Sequence, residues 1–118
     1  MAKTFKDLVD DAKSRITEVA ADEVRGLIGK ETIVDLREDS EWEKGHLPGA
    51  IHVSRGILEH RAEKMLPDKD APIVLYCGGG SRSALGADVL QEMGYTHVRS
   101  MAGGFRGWTA AGNPTETE

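Results

Sequence analysis

The chain has 118 residues, enough for one compact domain with a real core and too few for two. Its net charge of −5 argues against nucleic acid or an anionic membrane as the main partner, while a local basic pocket could still hold a small anion. One cysteine forbids an intramolecular disulfide and no apolar run is long enough to span a bilayer, so the expected setting is cytoplasmic.

Thr4 and Asp7 have the pattern of a capping box, and Phe5, Leu8, Val9 and Ala12 mark one helical face ending near Lys13. Residues 1–14 therefore read as a helical extension whose apolar stripe packs against a domain of residues 15–114. Arg15 to Glu18 suit a short edge strand, and Ala20, Val24, Leu27 and Ile28 line a helix closed by Gly29. Thr32 to Leu36 read as a buried strand with Asp35 at its C-terminal end and Arg37 just beyond. Ligands of open parallel sheets bind outside those ends, so Asp35 and Arg37 either border a site or form an ion pair that ties loops together. Asp39 to Lys44 suggest a short acidic helix over Trp42, with no chemistry assigned. Gly45 to Ala50 form a turn leading into a strand at Ile51–Val53. His46 in that turn is either a base for Cys77 or a loop histidine bonded to backbone. Ile57, Leu58, Ala62, Met65 and Leu66 mark a helix stopped before Pro67, followed by a charged linker at Asp68–Asp70.

The most informative stretch runs from Ile73 to Ser83. Ile73 to Tyr76 lack polar alternation, which suits a strand covered on both faces, and Cys77 ends it. Gly78, Gly79 and Gly80 follow, and from Ser83 the apolar residues Leu85, Val89, Leu90 and Met93 have helical spacing up to Gly94. Unpaired amides at a helix start carry partial positive charge, and consecutive glycines let amides turn inward as an anion-binding nest. Such surroundings, with Arg82 nearby, lower a thiol pKa from roughly 8.5 and make Cys77 the candidate nucleophile. The plainer alternative is a buried structural cysteine beside a turn.

His97 to Met101 read as a last strand, Gly103 and Gly104 as a turn, and Phe105 and Trp108 as the start of a closing helix that ends at Gly112 and Pro114. Residues 115–118 form an acidic tail expected to be disordered. Strands alternating with helices imply an α/β fold around a central, largely parallel sheet. His46, His52, His60 and His97 have no ligand-like spacing with Cys77, and there is neither a Walker-type loop nor a dinucleotide fingerprint, so no metal or cofactor is expected.

Four ordered motifs give the chain its resemblance to the single-domain rhodaneses, thiosulfate sulfurtransferase-like proteins, from about Ile16 to Pro114. They are Asp35-Leu36-Arg37-Glu38, Gly45-His46-Leu47-Pro48-Gly49-Ala50, the Tyr76-Cys77 to Arg82-Ser83 loop, and Gly103-Gly104 to Trp108. The resemblance implies a three-layer sandwich with a central five-stranded parallel sheet flanked by helices, here with an extra N-terminal helix. It also implies catalysis by Cys77, which takes a sulfane sulfur from a donor, holds it as a persulfide cradled by Gly78, Gly79, Gly80, Ser81 and Arg82, and yields it to a nucleophile. Family members that use thiosulfate well often carry a basic or polar side chain directly after the cysteine, whereas Gly78 and Gly79 offer only backbone. Arg82 is then either the side-chain contact to the donor anion or the partner of a carboxylate such as Asp35 that holds the loop closed. With no second cysteine the acceptor must be external: cyanide in an assay, or glutathione, thioredoxin or a protein thiol. Two other functions compete. A cysteine phosphatase or arsenate reductase uses a similar loop, but with one more residue between Cys and Arg than the four found here. A non-catalytic rhodanese-like binding module would be expected to have lost the cysteine.

Overall fold

The computed structural model describes residues 2–117. Among them are six α-helices, α1 (Phe5–Lys13), α2 (Ala21–Arg25), α3 (Asp39–Trp42), α4 (Leu58–Met65), α5 (Ser81–Glu92) and α6 (Gly104–Ala110). The five strands are β1 (Thr17–Val19), β2 (Thr32–Asp35), β3 (Ile51–His52), β4 (Ile73–Tyr76) and β5 (Val98–Met101). All pairings are parallel, in the order β1-β5-β4-β2-β3. The expected α/β sheet is thus present, with β4 at its centre.

The uninterrupted apolar run of β4 has the physical cause expected of it, because its residues feed two cores. Ile73 and Leu75 pack with Leu58, Ala62, Ala87 and Leu90 on the α4 and α5 side, while Val74 and Tyr76 pack with Val24, Met101 and Trp108 on the other. Alternating side chains of one strand serve both faces, so no polar position is left. The chain leaves β2 toward β3 and leaves β4 toward β5, on opposite sides of the sheet. The carboxyl ends of β2 and β4 therefore flank a topological switch point, where such sheets open a crevice.

Several local expectations shift. The capping box at Thr4 and Asp7 forms, and Val9 and Ala12 are buried as α1 lies along α5. The rest of the stripe does not pack, since Phe5 is 59% and Leu8 46% exposed. The strand expected at Arg15–Glu18 begins at Thr17, because Arg15 still bonds back to the helix through its amide and is held sideways by Asp11 and Asp88. The helix expected to reach Ile28 ends at Arg25, where Gly26 weakens it, and Leu27 and Ile28 reach the core from turns closed at Gly29, whose φ is +81°. At the C-terminus a disordered tail is not what residues 115–117 form. The Glu116 amide donates to the His46 carbonyl and the His46 amide to the Glu116 carbonyl, each at 2.9 Å, and the Gly49 amide donates to Glu116 Oε1 at 2.9 Å. Met1 and Glu118 lie outside the described residues. No helix is long and apolar enough to cross a membrane among the described residues.

Gly86, inside α5, faces a core that leaves no room for a side chain. A Cβ there would lie 2.6 Å from Leu36 Cδ1 and 3.1 Å from Leu58 Cδ2. Gly86→Ala gains about 1 kcal/mol of helix propensity but overpacks a filled core, at a cost of about 1–3 kcal/mol. A net loss of about 1 kcal/mol, read as a lower urea midpoint at unchanged slope, is the expected outcome. A raised midpoint would mean that the leucines yield freely.

Candidate active site

Cys77 follows β4 and is 1% exposed. Its sulfur accepts the Gly80 amide at 3.1 Å and the Ser83 amide at 3.4 Å, and it lies 3.5 Å from Ser83 Oγ. Ser83 Oγ in turn shares a hydrogen bond of 2.8 Å with Ser100 Oγ from β5, so a pair of buried hydroxyls backs the thiol. Burial pushes the Cys77 thiol up, but the Ser83 hydroxyl and the amides of Ser83, Gly80 and Gly79 outweigh it, leaving the pKa below that of an ordinary thiol. The helix α5 begins at Ser81, and Gly80, with φ +104°, makes the left-handed step into it. This cradle gives a thiolate its hydrogen bonds from amides and a hydroxyl, with no cationic group bonded to the sulfur among the described residues.

The loop is gripped from behind by α6. Phe105 donates its amide to the Cys77 carbonyl at 2.7 Å and Arg106 donates to the Gly78 carbonyl at 3.0 Å. Gly104 permits this contact, because a Cβ there would stand 2.5 Å from the Cys77 carbonyl oxygen and 2.6 Å from Gly78 backbone atoms. Gly78, expected to bind substrate, thus turns its carbonyl outward to α6.

Asp35 and Arg37 sit at the end of β2, one strand away from Cys77, and form the tying ion pair. Arg37 donates to the Asp35 carboxylate through its amide, Nε and Nη2, at 2.8–3.1 Å, and through Nη2 to the Gly45 carbonyl at 2.6 Å. Tyr76 donates to Asp35 Oδ2 at 2.6 Å and accepts from the Leu47 amide at 3.1 Å. Burial, and then the neighbouring Asp35 charge, push the Tyr76 phenol up, so it remains a donor. Neither Asp35 nor Arg37 bonds to the sulfur among the described residues. They fix the β2 end, the Gly45 turn and β4 to one another. His46 is no partner of Cys77 either: its Nδ1 lies 2.9 Å from the Leu47 carbonyl and its ring stacks on Trp42 with centroids 3.5 Å apart.

Arg82 pairs with Glu41, not with Asp35. Nη1 donates to Oε1 at 2.9 Å and Nη2 to Oε2 at 3.3 Å, a two-point contact between the β4 and β2 loops across the switch point. Asp35 is unavailable to Arg82 because Arg37 and Tyr76 already occupy its oxygens. The bond from Arg82 depresses the Glu41 carboxyl to about 2. The pair's contribution to stability is therefore complete above the ordinary carboxylate pKa and is lost as pH falls through about 2; partial exposure keeps it modest. Glu41 lies in the acidic helix to which sequence alone assigned no chemistry. Arg106 was missed as well, although its guanidinium lies over the loop, with Nη1 3.1 Å from where a Gly78 Cβ would be. Ser83 and Ser100 also carry no sequence signal beyond Ser83 following Arg82.

The chain belongs to the Rhodanese-like domain family, whose family model matches residues 20–111. Thiosulfate sulfurtransferase GlpE of Coxiella burnetii is 37% identical over 66% of this chain and 71% of its own length. Bacillus subtilis YrkF is 35% identical over 65% of this chain, but the match spans only 40% of YrkF. Among solved structures, a Rhodopseudomonas palustris protein of unknown function, described as "Possible Tyrosine Phosphatase", superposes with a TM-score of 0.90 at 33% identity, covering 98% of this chain and 96% of that one.

A hydrogen bond from the Ser83 hydroxyl to the sulfur favours the ionised form over the thiol, so Ser83→Ala should move the pH midpoint of Cys77 alkylation upward by about one pH unit, the equivalent of 1.4 kcal/mol. An unmoved midpoint would mean that this hydroxyl faces Ser100 alone.

Proposed function

We propose that this chain is a sulfurtransferase that moves a sulfane sulfur through a Cys77 persulfide. The observation that carries the reading is the buried sulfur facing the Gly80 and Ser83 amides with a lowered pKa, inside a loop where four residues separate Cys77 from Arg82. In the first step the Cys77 thiolate attacks the outer sulfur of thiosulfate or of a donor persulfide. The donor S–S bond breaks, and sulfite or the donor thiolate leaves with its electron pair. In the second step cyanide, or the thiolate of glutathione, thioredoxin or a protein, attacks the outer sulfur of Cys77-S-SH. Thiocyanate or a new persulfide departs and the Cys77 thiolate returns, so the cycle needs no oxidant, metal or cofactor. The loop amides of Gly78, Gly79, Gly80 and Ser81 and the cation of Arg82 are the expected surroundings of the transferred atom, with Asp35 and Arg37 holding the loop ends. A reducing compartment such as the cytoplasm fits a chemistry that depends on a free thiol.

Sulfur transfer should vanish in Cys77→Ser, measured as thiocyanate from thiosulfate and cyanide, and intact mass should show one reductant-labile sulfur on the wild-type protein only. Transfer surviving the substitution would end the mechanism.

Phosphatase chemistry is the second reading, favoured by the description of the Rhodopseudomonas neighbour. The short loop and the commitment of Arg82 to Glu41 speak against it, since a tetrahedral phosphate needs a wider ring and a free guanidinium. Inserting one glycine between Gly80 and Ser81 should lower sulfur transfer at least about tenfold while improving phosphate or arsenate binding. Efficient hydrolysis of aryl phosphates by the unmodified loop would reverse this preference.

A further inference from the structure

We infer that Arg106 is the residue that recognises the donor's anionic group, holding a sulfonate or carboxylate at the mouth of the Cys77 loop. The donor's identity rests on the sulfurtransferase reading; the anion contact itself does not. Three observations lead to Arg106. The end of its guanidinium reaches the two glycines that follow Cys77: a Gly79 Cβ would overlap Nη2 and lie 3.1 Å from Cζ, and a Gly78 Cβ would lie 3.1 Å from Nη1, beside Arg82 Nη2 at 3.0 Å. Secondly, the side chain is anchored at its base, because the Arg106 amide donates to the Gly78 carbonyl at 3.0 Å. Finally, of the two guanidiniums that approach Gly78, it is the one without an ion pair among the described residues. Arg82 pairs with Glu41, whereas Arg106 is exposed and has no acidic partner among the described residues; Arg25 and Arg61 are also unpaired there but neither approaches the loop glycines.

The consequence inverts the expectation for Arg82. Both of its outer nitrogens bind Glu41, so presenting them to a donor would break a two-point ion pair. A free guanidinium offers a planar fork that matches oxyanion geometry without such a loss. The glycines then have a positive role, since any side chain at position 79 would occupy the space of the Arg106 head. Substrate selectivity is supplied from α6 rather than from the loop.

The deciding measurement is the ratio of alkylation rates at Cys77 by iodoacetate and by iodoacetamide. Both reagents consume the thiolate, so a change in thiol pKa cancels, and only the carboxylate of the first senses a nearby cation. In Arg106→Ala the ratio should fall about fivefold or more at low salt, the effect shrinking as salt rises; Arg106→Lys should retain part of the preference. Gly79→Ala, which only has to displace the flexible end of Arg106, should lower the ratio in the same direction with the melting temperature nearly unchanged. An unchanged ratio in Arg106→Ala overturns the inference. Sulfur loading of Cys77 from thiosulfate, glutathione persulfide and an uncharged alkyl persulfide then separates the sources. Loss with thiosulfate alone assigns a sulfonate, loss with glutathione persulfide alone a carboxylate, and equal loss with the uncharged donor overturns anion recognition. If no donor loads the wild-type protein, the sulfurtransferase reading fails while the alkylation ratio still decides the role of Arg106.

Discussion

A trans peptide unit points its N–H and C=O in opposite directions within one plane, so a loop that turns its amides toward a sulfur turns the matching carbonyls away, where they need donors. The site depends on this constraint. The Gly78 carbonyl belongs to the same peptide unit as the Gly79 amide, and the Arg106 amide takes that carbonyl up, as the Phe105 amide takes up that of Cys77. Gly104 allows the contact by having no side chain where the Cys77–Gly78 backbone comes within 2.6 Å of its missing Cβ. The helix α6 therefore orients the Gly78 and Gly79 amides without touching the sulfur, while the Gly80 amide and Ser83, outside those two peptide units, supply the hydrogen bonds to it.

A second layer of order lies behind the first. The Asp35 carboxylate accepts from Arg37 and from Tyr76, and Arg37 reaches the Gly45 carbonyl and stacks on Phe105 with Cζ 4.0 Å above the ring. Buried charges of this kind are tolerated only when their partners are complete, and here the carboxylate has four donors on two oxygens. One ion pair joins β2, the Gly45 turn, β4 and α6, which are the elements whose relative position fixes the loop. The Arg82–Glu41 pair performs a looser version of the task at the surface, across the crevice between the two diverging loops.

What could be read from the sequence was whatever is written locally. The β4 run, the glycines after Cys77, the capping box at Thr4 and the stop at Gly94 each express a rule that spans a few residues, and each appears where expected. The candidate nucleophile was legible because a strand end, a nest and a helix start stand side by side in the chain. Pairings across long separations were not. Nothing in the spacing distinguishes Glu41 from the other acidic residues as the partner of Arg82, and Asp35, the nearer guess, is already filled by its own neighbours. Arg106 belonged to a closing helix whose glycines were legible as a turn, whereas its approach to the loop follows only from the sheet order. The partial exposure of Phe5 and Leu8 has the same origin: periodicity marks an apolar face but not how much of it a neighbour covers.

The grip of α6 on the Cys77 loop also has a temporal meaning. Chains are made from the N-terminus, and the cysteine, its strand and the start of α5 all precede Gly104 in the order of synthesis. A nascent chain that has emerged only through α5 already carries the thiol but lacks the donors that turn the Cys77 and Gly78 carbonyls away. Those two carbonyls gain their donors only once residues 104–106 have been made and docked, so the loop's outer face is completed after its inner one.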